Sequence, residues 1–162
     1  MKQFVVRYFI FLGGLFALFY LPTSVISVML NEEQTRLTLF LLDFFLKPEQ
    51  LQGIDIWINP HYKIFITKAC NGMIPILFLF ASVLAYYGTW KYKILWMFLG
   101  YIIFSIVNVI RILFVVYIVQ TGEGYADFHW SHDILGNILL LFTGMLLFIG
   151  FIKTSTKSVR GF

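Results

Sequence analysis

Charge is scarce in this chain, and cysteine scarcer still. Only 12% of its 162 residues are Asp, Glu, Lys or Arg, against about 25% in an ordinary soluble domain. With 60% hydrophobic and 20% aromatic residues, no water-facing globular surface can be built. One cysteine, Cys70, excludes an internal disulfide. With neither a CxxC nor a paired Cys/His spacing, nothing suggests structural zinc, and the redox compartment cannot be read from cysteine usage. The net charge of +4 forms no basic stripe. Its residues stand at the ends of apolar runs, as topology signals do, so no nucleic-acid partner is expected.

Internal repeats, low-complexity tracts and a second soluble domain are absent too, and the length suits a single domain. The apolar runs themselves lie over about 8–30, 69–87, 94–119 and 134–152, each long enough to cross a bilayer as a helix. The run "LTLFLLDFFL" (37–46) is broken by Asp43 and ends before Pro48. It is too short to span and reads as an interfacial helix or re-entrant element. "PEQLQGIDIWINPHY" (48–62) combines turn residues with the alternating "IDIWI" of a short strand or hairpin arm. The expected fold is an all-α integral membrane protein, one polytopic domain over 1–162. It has about four transmembrane helices, a short interfacial helix and an extracytoplasmic loop after the first span. That first segment also admits a reading as a cleaved signal peptide, with Lys2, Arg7, an apolar core and "VIS" ahead of Val28. Its length favours a retained anchor.

Lys and Arg set the expected orientation. Lys2 and Arg7 precede the first span, Lys91 and Lys93 lie in "GTWKYK", and Lys153, Lys157 and Arg160 lie in the tail. Four spans put all three groups on one side, the cytoplasm by the positive-inside rule. The connection "QTGEGYADFHWSHD" has no Lys or Arg, and the connection over 31–68 weighs less because it is long. The expectation is therefore a multi-pass protein of the cytoplasmic (inner) membrane, with both termini inside.

Three reactive side chains then share one depth near the outer face. Arg111 stands inside "FSIVNVIRILFVVYIV", where a mid-membrane arginine costs about 2.5–3.5 kcal/mol even on a lenient scale. Asn108, three residues earlier, shares its helix face and can orient the guanidinium. The plainer alternative is that Arg111 snorkels to the outer interface. Eight apolar residues that follow it before Gln120 weigh against that. His132 precedes the fourth span, and Cys70 opens the second. Either alone is more often structural; their coincidence with Arg111 is what points to a site.

The chemistry is coherent. A thiol reacts as thiolate, favoured by a helix N-terminus or a nearby cation, here Lys68 or Arg111. Gly72 lets a substrate backbone approach closely. Pro75 cannot donate a hydrogen bond to the Asn71 carbonyl, which is expected to leave irregular backbone beside the thiol. His132 can relay protons, and Arg111 can stabilise the oxyanion of a tetrahedral intermediate. Together these describe acyl transfer through a thioester, with Cys70, Arg111 and His132 as catalytic candidates. Asn108, Gly72, Asn71 and Asp133 are candidates for substrate binding or support.

Other chemistries fit less well. His129, His132 and Asp133 are closely spaced in "HWSHD" but lack a further obvious ligand, so neither metal nor cofactor is expected. HExxH, GxSxG and GxGD are all missing, against rhomboid-like and presenilin-like proteolysis. In "NEEQTR", Glu33 and Arg36 are one residue too close for a prenyl-protein endopeptidase.

The sequence "KACNGM" resembles the ACSG-type cysteine motif of the exosortase/archaeosortase family. "NVIRI" is similar to its Asn-x-x-Arg motif, and "HDILGNILL" resembles its histidine motif followed by Gly. Order and spacing agree from about Cys70 to the end of the fourth span. The resemblance implies a polytopic cysteine transpeptidase. Such an enzyme cleaves exported proteins near a C-terminal sorting signal (a short motif, a transmembrane helix and a basic tail) and passes them to an acceptor at the outer face. The family's catalytic Cys, Arg and His fall on Cys70, Arg111 and His132. Membrane lipids are the surroundings, and a lipid or a glycan is a candidate acceptor. Two departures stand out: Asn71 replaces the commoner Ser, and the chain has four expected spans where many members have more. The competing readings are a non-catalytic scaffold or accessory subunit of an envelope assembly system, and a transporter. The transporter is disfavoured because no span carries a second buried ionisable residue to form a pathway.

Overall fold

A computed structural model describes residues 2–21, 25–59, 62–66, 70–121 and 136–160. Five helices and one small sheet make up these residues: α1 (Lys2–Phe19), α2 (Val25–Asp43), β1 (Leu51–Gln52), β2 (Asp55–Asn59), β3 (Tyr62–Phe65), α3 (Met73–Ala85), α4 (Trp90–Thr121) and α5 (Gly136–Arg160). The chain is an all-α integral membrane protein. Three of its helices are long and apolar enough to cross a bilayer, namely α1, α4 and Gly136–Ser155 of α5, while α3 is apolar but shorter. Exposed side chains agree with a lipid environment: Ile102, Ile106, Ile110 and Phe114 form one exposed apolar stripe along α4. In water such a stripe would be a liability; against acyl chains it is solvated.

The run read as one span over 8–30 is two helices. At the end of α1 the N–H groups of Tyr20 and Leu21 both bond the Phe16 carbonyl, a widened, π-type final turn, and Pro22 follows in the sequence. α2 then starts at Val25 and absorbs much of the segment read as an interfacial helix over 37–46. Its buried residues are Ser27, Asn31, Gln34, Thr38 and Leu42, a polar stripe at helical spacing that faces inward. The connection over 31–68 is therefore largely ordered secondary structure. Within it, β1, β2 and β3 form an antiparallel meander in which Ile56 pairs Ile64. On one face Ile56 and Ile64 are buried. On the other, Lys63 sits 2.7 Å from Asp55 and over the rings of Trp57 and Phe65.

Two apolar cores are strung along α4. The first joins Leu42, Ile56, Ile64, Ile66 and Cys70 to Val109, Ile112, Val115, Val116 and Val119. The second joins Ile76, Leu79 and Val83 of α3 to Phe104 and to Leu140, Leu147 and Phe151 of α5. With 32 residues and a rise of 1.5 Å per residue, α4 is about 48 Å long, well beyond a hydrocarbon core of about 30 Å. Its last turns carry the sheet, and Arg111 falls where the two cores meet, about 30 Å from Trp90.

The basic segments gather at the opposite end. Arg7 lies over the Tyr87 ring, the Tyr87 hydroxyl donates to Gln3, and Lys93 donates to the Leu84 carbonyl. Tyr92 reaches the Phe151 carbonyl and the Thr154 hydroxyl of α5. Lys2, Arg7, Lys91, Lys93 and Lys153 therefore belong to segments that meet at one end of the bundle.

Candidate active site

Cys70 stands in the turn that enters α3, and three of its surroundings are fixed by side-chain amides. Gly72 is left-handed (φ 77°, ψ 7°) and caps α3. It also touches Asn108 so closely that a Cβ there would lie 3.0 Å from the Asn108 Cγ. Asn108 Nδ2 donates to the Cys70 carbonyl at 2.9 Å. The Asn71 side chain closes the turn: its Oδ1 accepts from the Met73 N–H at 3.0 Å, and its Nδ2 donates to Asn31 Oδ1 at 3.2 Å. Asn31 in turn donates to the carbonyls of Phe19 and Ser27, both at 2.8 Å, tying the end of α1 to α2.

Pro75 creates no irregularity here. It is the third residue of α3, within the first turn, where a missing N–H breaks no intrahelical bond. The Asn71 carbonyl lies outside the helix because the chain turns left-handed at Gly72. Gln34 Nε2 donates to it at 3.1 Å.

Arg111 is buried, 3% exposed, as are Asn71 and Asn108 at 0% and Cys70 at 7%. It does not snorkel to the surface. Nη1 contacts Asn108 Oδ1 at 3.4 Å and Nη2 contacts Asn137 Oδ1 at 3.5 Å. Gly136 leaves room for the guanidinium, since a Cβ at that position would stand 2.3 Å from Nε. The amides of Asn108 and Asn137, from α4 and α5, thus bracket the cation.

Arg111 separates two spaces. With Cys70, Ile64, Ile66, Ile112 and Val115 it lines a void of about 10 Å³, about one water's worth and apolar-walled. With Gly72 and Asn137 it also lines one end of a cleft of about 520 Å³ whose apolar walls come from α3 and α5, with Tyr8 of α1 at the side. The thiol and the guanidinium thus share the lining of one small void, and a cation at the end of a cleft can meet a developing oxyanion.

Of the sequence-derived site residues, Cys70, Asn71, Gly72, Asn108 and Arg111 come together here. His132 and Asp133 lie outside the described residues, as does Lys68. Among the described residues no group of three His, Cys, Asp or Glu side chains could hold a metal ion. Sequence reasoning missed Asn31, Gln34 and Asn137, and met Gly136 only as the glycine after the histidine motif. The first two had a readable signal, the spacing of Ser27, Asn31, Gln34 and Thr38 at one helical face, which a loop assignment hid.

Residues 3–149 match the family model described as transmembrane exosortase (Exosortase_EpsH). No curated protein and no solved structure matches the chain.

Proposed function

The chain belongs to the transmembrane exosortase family, and we propose that it is a cysteine transpeptidase that cleaves C-terminal sorting signals of exported proteins. The observation that carries this reading is that Cys70 and Arg111 line one small dry void while Arg111 and Gly72 also line a 520 Å³ cleft. A nucleophile, a cation and a substrate-sized space meet at one level of the bundle.

In this mechanism the Cys70 thiolate attacks the scissile carbonyl carbon, forming a C–S bond and placing a negative charge on the carbonyl oxygen. Arg111 stabilises that oxyanion. Collapse of the intermediate breaks the C–N bond, and the departing amine takes a proton from His132. An acceptor nucleophile then loses its proton to His132 and attacks the thioester, which breaks the C–S bond and restores the thiolate. The acceptor is a lipid, a glycan or water. The apolar walls of the cleft suit the membrane-embedded residues of a substrate that ends in a motif, a transmembrane helix and a basic tail.

The reaction is assigned to the outer face of the cytoplasmic membrane, with both termini inside. Supporting this, the three basic segments share one end of the bundle and Arg111 lies near the other.

Processing of a co-expressed tailed protein from the same genome, followed by immunoblot, tests the proposal. Cys70→Ala should abolish the shift to the processed form. Arg111→Ala should slow it about 10²–10³-fold and His132→Ala about 10²–10⁴-fold. Processing at the wild-type rate by a correctly inserted Cys70→Ala variant would overturn the proposal.

A further inference from the structure

Gln34 is a neutral amide, 2% exposed, in a helix whose neighbours are a membrane bundle and an apolar sheet. Burying an amide is unfavourable unless its groups are bonded, and here each has a partner. Nε2 donates to the Asn71 carbonyl at 3.1 Å and lies 3.5 Å from Ser105 Oγ. Oε1 accepts from the Tyr101 hydroxyl at 2.6 Å. Tyr101 and Ser105 are one turn apart on α4, the helix that also carries Asn108 and Arg111. Gln34 is therefore clamped from the helix bearing the cation and holds the peptide that follows the thiol-bearing turn.

That peptide has a defined sense. The described chain has no cis peptide bonds, so the carbonyl of Asn71 and the N–H of Gly72 point in opposite directions. With the carbonyl drawn to Gln34 on α2, the Gly72 N–H is turned away from α2, and Gly72 is the residue of this turn that lines the cleft beside Arg111. The carbonyl one residue earlier, that of Cys70, is held by Asn108. Two amides from two helices thus set the orientation of two consecutive peptides.

We infer that Gln34, steered by Tyr101, is a positioning residue that fixes the Cys70–Gly72 turn for attack on the substrate carbonyl. The inference rests on the cysteine transpeptidase reading. It assigns a catalytic purpose to the buried polar stripe of α2: leucine at position 34 would fill the space but leave the Asn71 carbonyl and the Tyr101 hydroxyl without Gln34.

The test is steady-state cleavage, by purified protein in nanodiscs, of a synthetic peptide carrying the sorting signal of a tailed protein from the same genome. Gln34→Leu should lower kcat about 10- to 100-fold, the scale expected when a reacting group is misplaced by an ångström or less, with KM unchanged. Tyr101→Phe, which keeps the ring, should lower kcat roughly two- to tenfold. In the Gln34→Leu background it should cause no further loss, because its route to the turn is already cut. A merely structural role predicts losses that track the fall in folded fraction, with kcat per folded enzyme unchanged, or a parallel rise in KM, and either result would overturn the inference. Wild-type kcat in both single variants, with Cys70→Ala inactive, would overturn it as well while leaving the transpeptidase reading intact. If Gln34→Leu fails to fold, Tyr101→Phe alone decides, by a lowered or a wild-type kcat. Full activity of Cys70→Ala would instead remove the reading beneath the inference, and the inference with it.

Discussion

Asn108 bonds the carbonyl of Cys70 through its Nδ2 and meets the Arg111 guanidinium through its Oδ1. One side chain thereby couples the backbone of the thiol-bearing turn to the buried cation one helical turn away. This coupling explains why a carboxamide stands at this point of an apolar helix. Leucine would pack but could serve neither neighbour.

Replacement of Asn108 by leucine should therefore act twice. It leaves a buried carbonyl without its donor, which costs about 1–3 kcal/mol, and it frees the turn and the guanidinium from each other. Thermal unfolding in detergent should show the lower stability, and peptide cleavage should fall by more than the folded fraction does.

Gly136→Ala should separate activity from stability. The added Cβ would meet Arg111 Nε at 2.3 Å, so the guanidinium has to move. A displacement of about 1 Å costs up to about 100-fold in rate. Because α5 otherwise tolerates alanine well, the melting temperature should fall less than in Asn108→Leu while kcat drops at least as far.

At Gly72 the demand is conformational. A φ of 77° costs an alanine roughly 1–2 kcal/mol, and its Cβ would press on Asn108 at 3.0 Å. Gly72→Ala should lower both the melting temperature and the rate of cleavage, and restoring space with Asn108→Ala in the same chain should not recover activity.

Arg111→Lys should resemble Arg111→Ala more than wild type in the cleavage assay. Lysine keeps the charge but loses the planar fork that meets Asn108 and Asn137 together. A lysine variant with wild-type kcat would mean that charge alone is what the site uses.

Much of this site was legible in the sequence because polar residues inside apolar runs are conspicuous. Arg111, Asn108 and Cys70 stood out for that reason, and the helix pattern fixed the shared face of the first two. Asn31 and Gln34 did not stand out. They lie in a segment of mixed composition that hydropathy assigns to a loop, and only a helix buried on its polar side makes them interior residues. The break between α1 and α2 did have a local signal in Pro22, Thr23 and Ser24, but the apolar "VISVML" after them lets hydropathy read one continuous run. Gly136 stood within the histidine motif, but its contact with Arg111, and that of Asn137, were hidden for a different cause. Their role comes from the approach of α5 to Arg111, a contact between residues 25 or 26 positions apart that no local pattern encodes. The strand reading of "IDIWI" succeeded because alternation is local, and β2 carries it with Ile56 inward.

The central claim is that Cys70 forms a thioester with the substrate, and as the sole cysteine it can be followed without ambiguity. Intact-mass spectrometry of the protein co-expressed with a tailed substrate measures this directly. The account predicts a substrate-sized adduct that hydroxylamine releases, present in wild type and absent in Cys70→Ala. No adduct on a correctly inserted wild-type protein, together with continued processing by Cys70→Ala, would contradict it.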